Sequence, residues 1–402
     1  MEVLSINLFY KEGSTGKIIE LIHNDLKNHL HQSHVCYAIG NHIGENLFKF
    51  SSKFSSKFYT YLSALTGRQY TYSYFETIKL IRHIKKIKPD IVNIHAININ
   101  VVNVYRLFNF LKKNKIKTIL TFHSEIFYTG GCSHAFDCEK FISGCGKCPN
   151  LWEATHSIFF DNTNFFWNRF KSIYDGFDNL YINCVSQWLR DRAVNSPFFI
   201  KNDIRVINNG VNTSIFNYSE NNDLRRKYAM NNQKIILHVT PSFKSTIKGG
   251  EYVLKLAKEL NISEYIIIIV GYDANYELQE NIFTIKSISN QNLLAQLYSI
   301  ADVTLLTSKA ETFSMVCVES LCSGTPVAGF KCGAPEQICI PAFSSFVEQG
   351  DVNSLKNELI KLCNLNTTKQ EISNHACGLY SDSFMTKSYI DFYEEIHKKP
   401  RK

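Results

Sequence analysis

No apolar run in the 402-residue sequence approaches the ~18 residues that cross a bilayer as a helix; the longest strong one lies at 265–272. The opening residues, Met1-Glu2-Val3-Leu4-Ser5, carry no cationic stretch, so a secretory signal is not expected. Membrane-spanning and secreted classes are set aside on these grounds. Excess charge is also scarce: 44 Lys and Arg against 36 Asp and Glu leave +8. That balance suits anionic ligands or an anionic membrane surface; a nucleic-acid partner, which asks for denser and more clustered cations, is not expected. Cysteine is plentiful, with twelve. In a chain without an export signal they read as reduced thiols, a metal site, or both, and not as a disulfide framework. Apolar residues make up 45%, enough for a core in each of two domains.

The pattern along the chain is α/β. Residues 3–10 read as a strand, followed by the turn Gly13-Ser14-Thr15-Gly16 and a helix with Ile18, Ile19, Leu21, Ile22 and Leu26 at helical spacing. Strands over 35–39, 91–95, 118–122 and 180–185 alternate with helices over 76–88, 101–113 and 187–194. The aromatic-rich segment 46–75 carries a tandem Lys-Phe-Ser-Ser and reads as a long surface loop or short helices. A second half places strands at 204–208, 234–239, 265–270, 282–285, 303–306 and 326–330 between helices at 249–260, 291–299 and 314–322. Two Rossmann-like parallel sheets are expected, facing one cleft, with ligands at the carboxyl ends of their strands. The expected boundaries are 1–196 with a Cys-rich insert at 132–148, 197–381, and a terminal helix in 382–402 packing back on the first domain.

The segment from Glu311 to Glu319, followed by Gly324-Thr325-Pro326-Val327, is the most informative. Ser314 reads as a helix start, Gly324 as its stop, and a helix N-terminus after a strand offers free N–H groups to a phosphate. Glu311 and Glu319 would lie roughly 12 Å apart if helical throughout, too far for the paired carboxylates of glycoside hydrolysis. The spacing suits two contacts on one long ligand; two surface carboxylates would look the same. Lys248-Gly249-Gly250 opens a helix, where a Lys can neutralise a diphosphate leaving group or stay solvated. The Gly13–Gly16 turn matches neither G-x-G-x-x-G nor a P-loop.

Together these pieces resemble glycosyltransferase family 4, retaining enzymes of the GT-B fold that use nucleotide sugars. The resemblance spans the chain through the Gly13–Gly16 loop, Pro89-Asp90-Ile91-Val92 leading to His95, Thr121-Phe122-His123, Asn209-Gly210-Val211-Asn212, Lys248-Gly249 and the Glu311/Glu319 pair. Thr129-Gly130-Gly131-Cys132 through Cys148-Pro149 is similar to a subgroup that assembles bacterial exopolysaccharide and lipopolysaccharide. The resemblance implies that Glu311 holds donor-sugar hydroxyls, Glu319 the ribose, and Lys248 with the N–H groups near Ser314 and Met315 the diphosphate. It implies that His123 faces the donor sugar, making His123, Glu311 and Lys248 the catalytic set. Gly13, Thr15, Gly16, Lys244 and Phe313 complete the donor-binding residues, and His95 and Glu125 lie on the acceptor side. Three positions depart from the pattern: Ser124 stands where the subgroup has Asp, Phe243 where the family has Arg, and the stretch after Pro-Asp is thinned to His95, Asn98 and Asn103. No Asp-x-Asp occurs, which argues against a metal-bridged diphosphate, so no cofactor is expected for catalysis.

Cys132, Cys138, Cys145 and Cys148, four thiols within seventeen residues, read as a structural zinc site, with free thiols or local disulfides as alternatives. Arg82, Lys85, Lys86 and Lys88 are either a membrane-surface patch or a solvated basic face. The expected activity is retaining transfer of a sugar from a nucleotide donor to a saccharide or lipid-linked saccharide in surface-polysaccharide assembly. The expected setting is cytoplasmic, either free or peripheral on the inner face of the cytoplasmic membrane. The rival is a non-catalytic, zinc-stabilised nucleotide-binding protein.

Overall fold

Seven strands of near-continuous apolar sequence alternate with helices in the first part of the chain. They are β1 (Glu2–Phe9), β2 (Gln32–Ile39), β3 (Leu47–Lys49), β4 (Ile91–Ile94), β5 (Lys117–Phe122), β6 (Leu180–Cys184) and β7 (Ile204–Val206). The computed structural model describes residues 1–229 and 232–401. In it these strands form one parallel sheet in the order β3-β2-β1-β4-β5-β6-β7. All residues of β4, β5 and β6 are buried, as strands covered on both faces must be. Helix α1 (Gly13–Asn28) returns the chain from β1 to β2 and buries Ile18, Ile19, Ile22 and Leu26, which recur at helical spacing.

A second parallel sheet follows: β8 (Lys234–Val239), β9 (Tyr265–Val270), β10 (Ile282–Ile285), β11 (Val303–Leu306), β12 (Val327–Phe330) and β13 (Ser344–Val347), ordered β10-β9-β8-β11-β12-β13. Its core joins Ile236, Ile267, Ile269, Leu305 and Phe330 to Val253 and Leu256 of the helix Gly250–Glu259.

The chain divides into one compact unit of Met1–Asn208 with Thr386–Lys402, and a second of Asn209–Met385. Residues 197–208, expected in the second half, belong to the first, because Ile204–Val206 pairs with β6 and extends that sheet. The terminal helix, Asp382–Lys398, covers polar strand residues of the first unit. The Asn93 amide donates to the Tyr393 hydroxyl at 2.6 Å, the Asn183 amide to that of Tyr389 at 3.0 Å, and Lys117 to the His397 carbonyl at 2.8 Å. These bonds satisfy buried polar groups that would otherwise cost ~1–3 kcal/mol each.

Segment 46–75 holds more order than a surface loop. After β3 it forms α2 (Lys53–Thr66), capped by the Ser52 hydroxyl accepting from the Ser55 N–H at 3.1 Å and closed by Gly67 at φ 65°. The tandem Lys-Phe-Ser-Ser therefore runs out of a strand in its first copy and opens a helix in its second. A further helix, α3 (Tyr74–Ile87), buries Thr77, Leu80 and Ile84 and leaves Arg82, Lys85 and Lys86 in solvent.

Candidate functional site

Strand order reverses direction in both sheets. β1 has β2 on one side and β4 on the other; β8 has β9 and β11. Loops leaving adjacent strands at such a point diverge to opposite faces and open a crevice at the carboxyl ends. The residues singled out in the sequence follow the carboxyl ends of strands, with Gly13 to Gly16 forming the first turn of α1 rather than a free loop. Gly13 to Gly16 follow β1, His95 follows β4 and His123 follows β5; Lys248 follows β8 and Glu311 follows β11.

In the second unit the Lys248 ammonium donates to a Glu311 carboxylate oxygen at 2.6 Å, both side chains largely buried. Each is fixed from behind. The Thr307 hydroxyl donates to the Lys248 carbonyl at 2.9 Å. Glu311 donates its N–H to the Cys332 carbonyl at 2.8 Å and accepts from the Ala334 N–H at 3.0 Å. Gly249 has φ 65°, and a Cβ there would lie 2.1 Å from the Thr307 carbonyl oxygen, so only glycine lets the Lys248 loop approach the Thr307 backbone.

Ser314 precedes a helix of Met315–Cys322 and holds φ 79°, uncommon for a residue with a side chain. Its buried hydroxyl has no hydrogen-bond partner among the described residues. A constrained serine with an unmatched polar group at a helix N-terminus is arranged for a ligand rather than for stability. Glu311 lies outside that helix, so the pair does not share one helical run. Glu319, within it, accepts from the Tyr298 hydroxyl at 3.3 Å. Phe313 is buried and meets the Tyr380 ring edge-on at 6.4 Å.

Phe243, where the family has a cation, is buried in the hydrophobic core against Val253 and Tyr272 and contributes nothing polar. Lys244 is exposed, and its N–H donates to the Asp273 carboxylate at 3.0 Å. Asp273 also accepts from the Ser242 hydroxyl at 2.7 Å, which lowers its pKa and pins the loop. Sequence reading missed Tyr298, Thr307, Asp273 and His238. Each acts through a contact remote in sequence, so no local spacing marks it. His238 is buried on β8, and its Nδ1–H donates to the Leu305 carbonyl at 3.0 Å, which places the proton of the neutral ring on Nδ1. Burial lowers its pKa to about 4.

In the first unit His95 Nδ1 lies 3.0 Å from His123 Nε2, so a single proton joins two imidazoles. Burial holds His95 far below the usual histidine range and brings His123 to about 4, leaving both neutral at pH 7. They line a cavity of about 270 Å³ with Gly13, Thr15 and Phe9. Asn7 braces this cavity. Its amide donates to the Phe9 carbonyl at 2.7 Å and to Thr15 at 3.3 Å, while its oxygen accepts from the Ala96 N–H at 3.0 Å.

Glu125, placed on the acceptor side by the sequence reading, is fully buried. Its carboxylate accepts from Arg192 at 2.7 Å, the Tyr128 hydroxyl at 2.7 Å and the Ala135 N–H at 2.5 Å. These bonds use the carboxylate to anchor the cysteine-rich insert. Within that insert Gly130 donates its N–H to Cys145 Sγ at 3.2 Å. All four thiols are free, and among the described residues no three Cys, His, Asp or Glu side chains are grouped to hold a metal ion.

Two family models match side by side: Glycosyltransferase Family 4 over residues 58–215, and Glycosyl transferases group 1 over residues 220–377. The chain is a family 4 glycosyltransferase. This match decides for glycosyl transfer over a non-catalytic nucleotide-binding protein. The glycosyltransferase is 22% identical over 204 residues to N-acetyl-alpha-D-glucosaminyl L-malate synthase of Bacillus anthracis, covering 48% of this chain and 53% of that protein. The chain thus aligns with about half the length of that relative. It is 21% identical to the putative colanic acid biosynthesis glycosyl transferase WcaC of Escherichia coli K12, over 98% of this chain and 100% of that one. Among solved structures, Anabaena Alr3699/HepE in complex with UDP-glucose superposes with a TM-score of 0.67 at 14% identity, covering 98% of this glycosyltransferase and 100% of that chain. That likeness establishes the two-sheet GT-B class of fold.

Proposed function

We propose that this glycosyltransferase takes a nucleotide sugar as donor and extends a saccharide or lipid-linked saccharide in surface-polysaccharide assembly, with retained anomeric configuration. The observation that carries the reading is the Lys248–Glu311 pair beside Ser314 at the strand-order reversal of the second unit. A cation and a helix N-terminus converge there, as a diphosphate requires. Support comes from the neighbour holding UDP-glucose and the relative named for colanic acid biosynthesis. On this reading Lys248, with the N–H groups near Ser314 and Met315, stabilises the departing diphosphate. Glu319 accepts from the ribose hydroxyls and Glu311 from the sugar hydroxyls. His123, neutral and held by His95, serves the transfer as a hydrogen-bonding group and not as a cation.

Neither unit presents a carboxylate marked as a nucleophile, so we assign the proton to the leaving group. The acceptor oxygen bonds to the anomeric carbon as the sugar–phosphate bond breaks, and the hydroxyl proton passes to the diphosphate oxygen. Positioning and charge stabilisation then supply the rate. Incubation with UDP-, GDP- and ADP-sugars, followed by proton NMR of the product, tests the reading. The expected product keeps the donor's anomeric configuration; an inverted product overturns it.

For the insert we propose zinc held by Cys132, Cys138, Cys145 and Cys148. The support is that four thiols fall within seventeen residues and that the Gly130 N–H donates to Cys145 Sγ, as an outer group around a thiolate ligand does. Binding would draw the four sulfurs together. Metal analysis of protein purified without chelator should find about one zinc per chain; under a tenth of that, with four titratable thiols, overturns the proposal.

A further inference from the structure

Helix α2 is built inside out. Its buried positions are Ser56 and Ser63, half a turn from a stripe formed by Phe54, Phe58 and Tyr61 at helical spacing. Phe54 is 84% exposed, Phe58 55% and Tyr61 64%. The inner face is held by polar contacts instead: the Ser56 hydroxyl donates to the Ile99 carbonyl at 2.9 Å and Thr60 to the same oxygen at 3.2 Å. A helix folded for water alone places its aromatics on the buried stripe and its serines outside. Neighbouring α3 follows that rule over Leu80 and Ile84. Its second residue, Phe75, is the exception at 76% exposed, and it adjoins the start of α2, where Ser55 hydrogen-bonds Glu76.

Charge defines what covers this face. Residues 46–75 contain ten aromatics and four cations, Lys49, Lys53, Lys57 and Arg68, with no acidic residue. Lys53 and Lys57 lie exposed along one flank of the stripe and have no ion-pair partner among the described residues. Of the two acids that flank the segment, Glu76 is half-buried and engaged by Ser55, and Glu45 precedes β3. A second copy of the chain seated on the same patch would oppose lysines to lysines. An anionic lipid surface satisfies both components: the aromatic rings enter the boundary between headgroups and acyl chains, and the lysine stems let their ammonium groups reach phosphate.

We propose that α2, with Phe75 beside it, is the surface by which the first unit docks on an anionic phospholipid bilayer. The basic face of α3 around Arg82 is then an ordinary solvated face. This inference goes beyond the donor-site reading and is tested without any sugar nucleotide. Full-length protein is floated with phosphatidylcholine vesicles, with and without 30% phosphatidylglycerol. Wild type should float with the anionic vesicles and weakly with the neutral ones. Phe54→Ser with Phe58→Ser should lower the partition coefficient at least about tenfold. Lys53→Gln with Lys57→Gln should lower it about fivefold per lysine and flatten its salt dependence. Arg82→Gln with Lys86→Gln should leave it within about twofold. Phe58→Trp, checked for a native circular dichroism spectrum, should shift its emission to the blue on adding anionic vesicles. A wild type that stays in solution, an aromatic variant that floats like wild type, or a Phe58→Trp emission that does not move overturns the proposal. So does a wild-type dimer that the aromatic substitutions convert to monomer, since the face would then bind a second copy.

Discussion

Lys248 and Glu311 neutralise one another across 2.6 Å, so a diphosphate must win the ammonium from the carboxylate. Two substitutions should therefore act in opposite directions on binding. By calorimetry, Lys248→Ala should weaken nucleoside-diphosphate affinity by tenfold or more, as loss of a charged hydrogen bond worth ~1.5–3 kcal/mol requires. Glu311→Gln should leave that affinity equal or raise it a few-fold while turnover falls at least tenfold, roughly 1.4 kcal/mol of barrier. Weaker binding in Glu311→Gln would show that the carboxylate contributes to the nucleotide site itself. His123 supplies a pH signature. Its folded pKa of about 4 lies below the ordinary 6.5, so the unfolded chain binds the extra proton between those values. The stability tied to a neutral His123 is complete above pH 6.5 and is lost as pH falls toward 4, by no more than about 3 kcal/mol. Urea midpoints of His123→Gln should decline less steeply than wild type over that window; parallel curves would mean that the imidazole is not held neutral. At this scale the sequence singled out Lys248 and Glu311 by motif and chemistry, and the structure brings the two together. The sequence was silent on Tyr298, Thr307 and Asn7, whose roles arise only once distant strands are neighbours. It misdirected at Glu125, because a carboxylate two residues from His123 gives no hint that Arg192 lies against it.

Elements were legible in proportion to their apolar periodicity. The run Tyr265–Val270 could only be a strand covered on both faces, and it is. The helix Gly250–Glu259 announces itself by Val253, Leu256 and Ala257. Segment 46–75 was opaque because α2 inverts the usual pattern: aromatics at helical spacing with serines opposite do not read as a packed helix. Strand β7 was assigned to the wrong sheet because three residues carry no information about their partner, and β6 decides it through Ile182 and Cys184. Two substitutions test how these elements are fixed. Gly249→Ala places a Cβ 2.1 Å from the Thr307 carbonyl at a left-handed φ, and should cost at least about 2 kcal/mol in urea unfolding. A neutral outcome would mean that the Lys248 loop shifts freely. Tyr393→Phe removes the hydroxyl that accepts from Asn93 and should cost ~1–3 kcal/mol, whereas exposed Tyr61→Phe on α2 should change stability by less than about 0.5 kcal/mol.

At the scale of the whole molecule, a bound nucleoside diphosphate should mark one unit. At a hundredfold excess over its Kd it adds about 2.7 kcal/mol to the species that binds it. Hydrogen exchange should therefore slow in 240–250 and 307–319 of the second unit and leave the Cys-rich insert unchanged; protection confined to the first unit would displace the donor site. No helix among the described residues is long and apolar enough to cross a membrane. The terminal helix carries a different consequence, one of timing. The second unit is a continuous stretch of chain, Asn209–Met385, while the first needs both its opening 208 residues and Thr386–Lys402. On the ribosome the later-made unit can close its core while the earlier-made one still waits, with Asn93 and Asn183 lacking Tyr393 and Tyr389. A nascent chain stalled before residue 386 would thus present a finished second unit and an unfinished first sheet, so translation of Thr386–Lys402 decides when the first unit is whole.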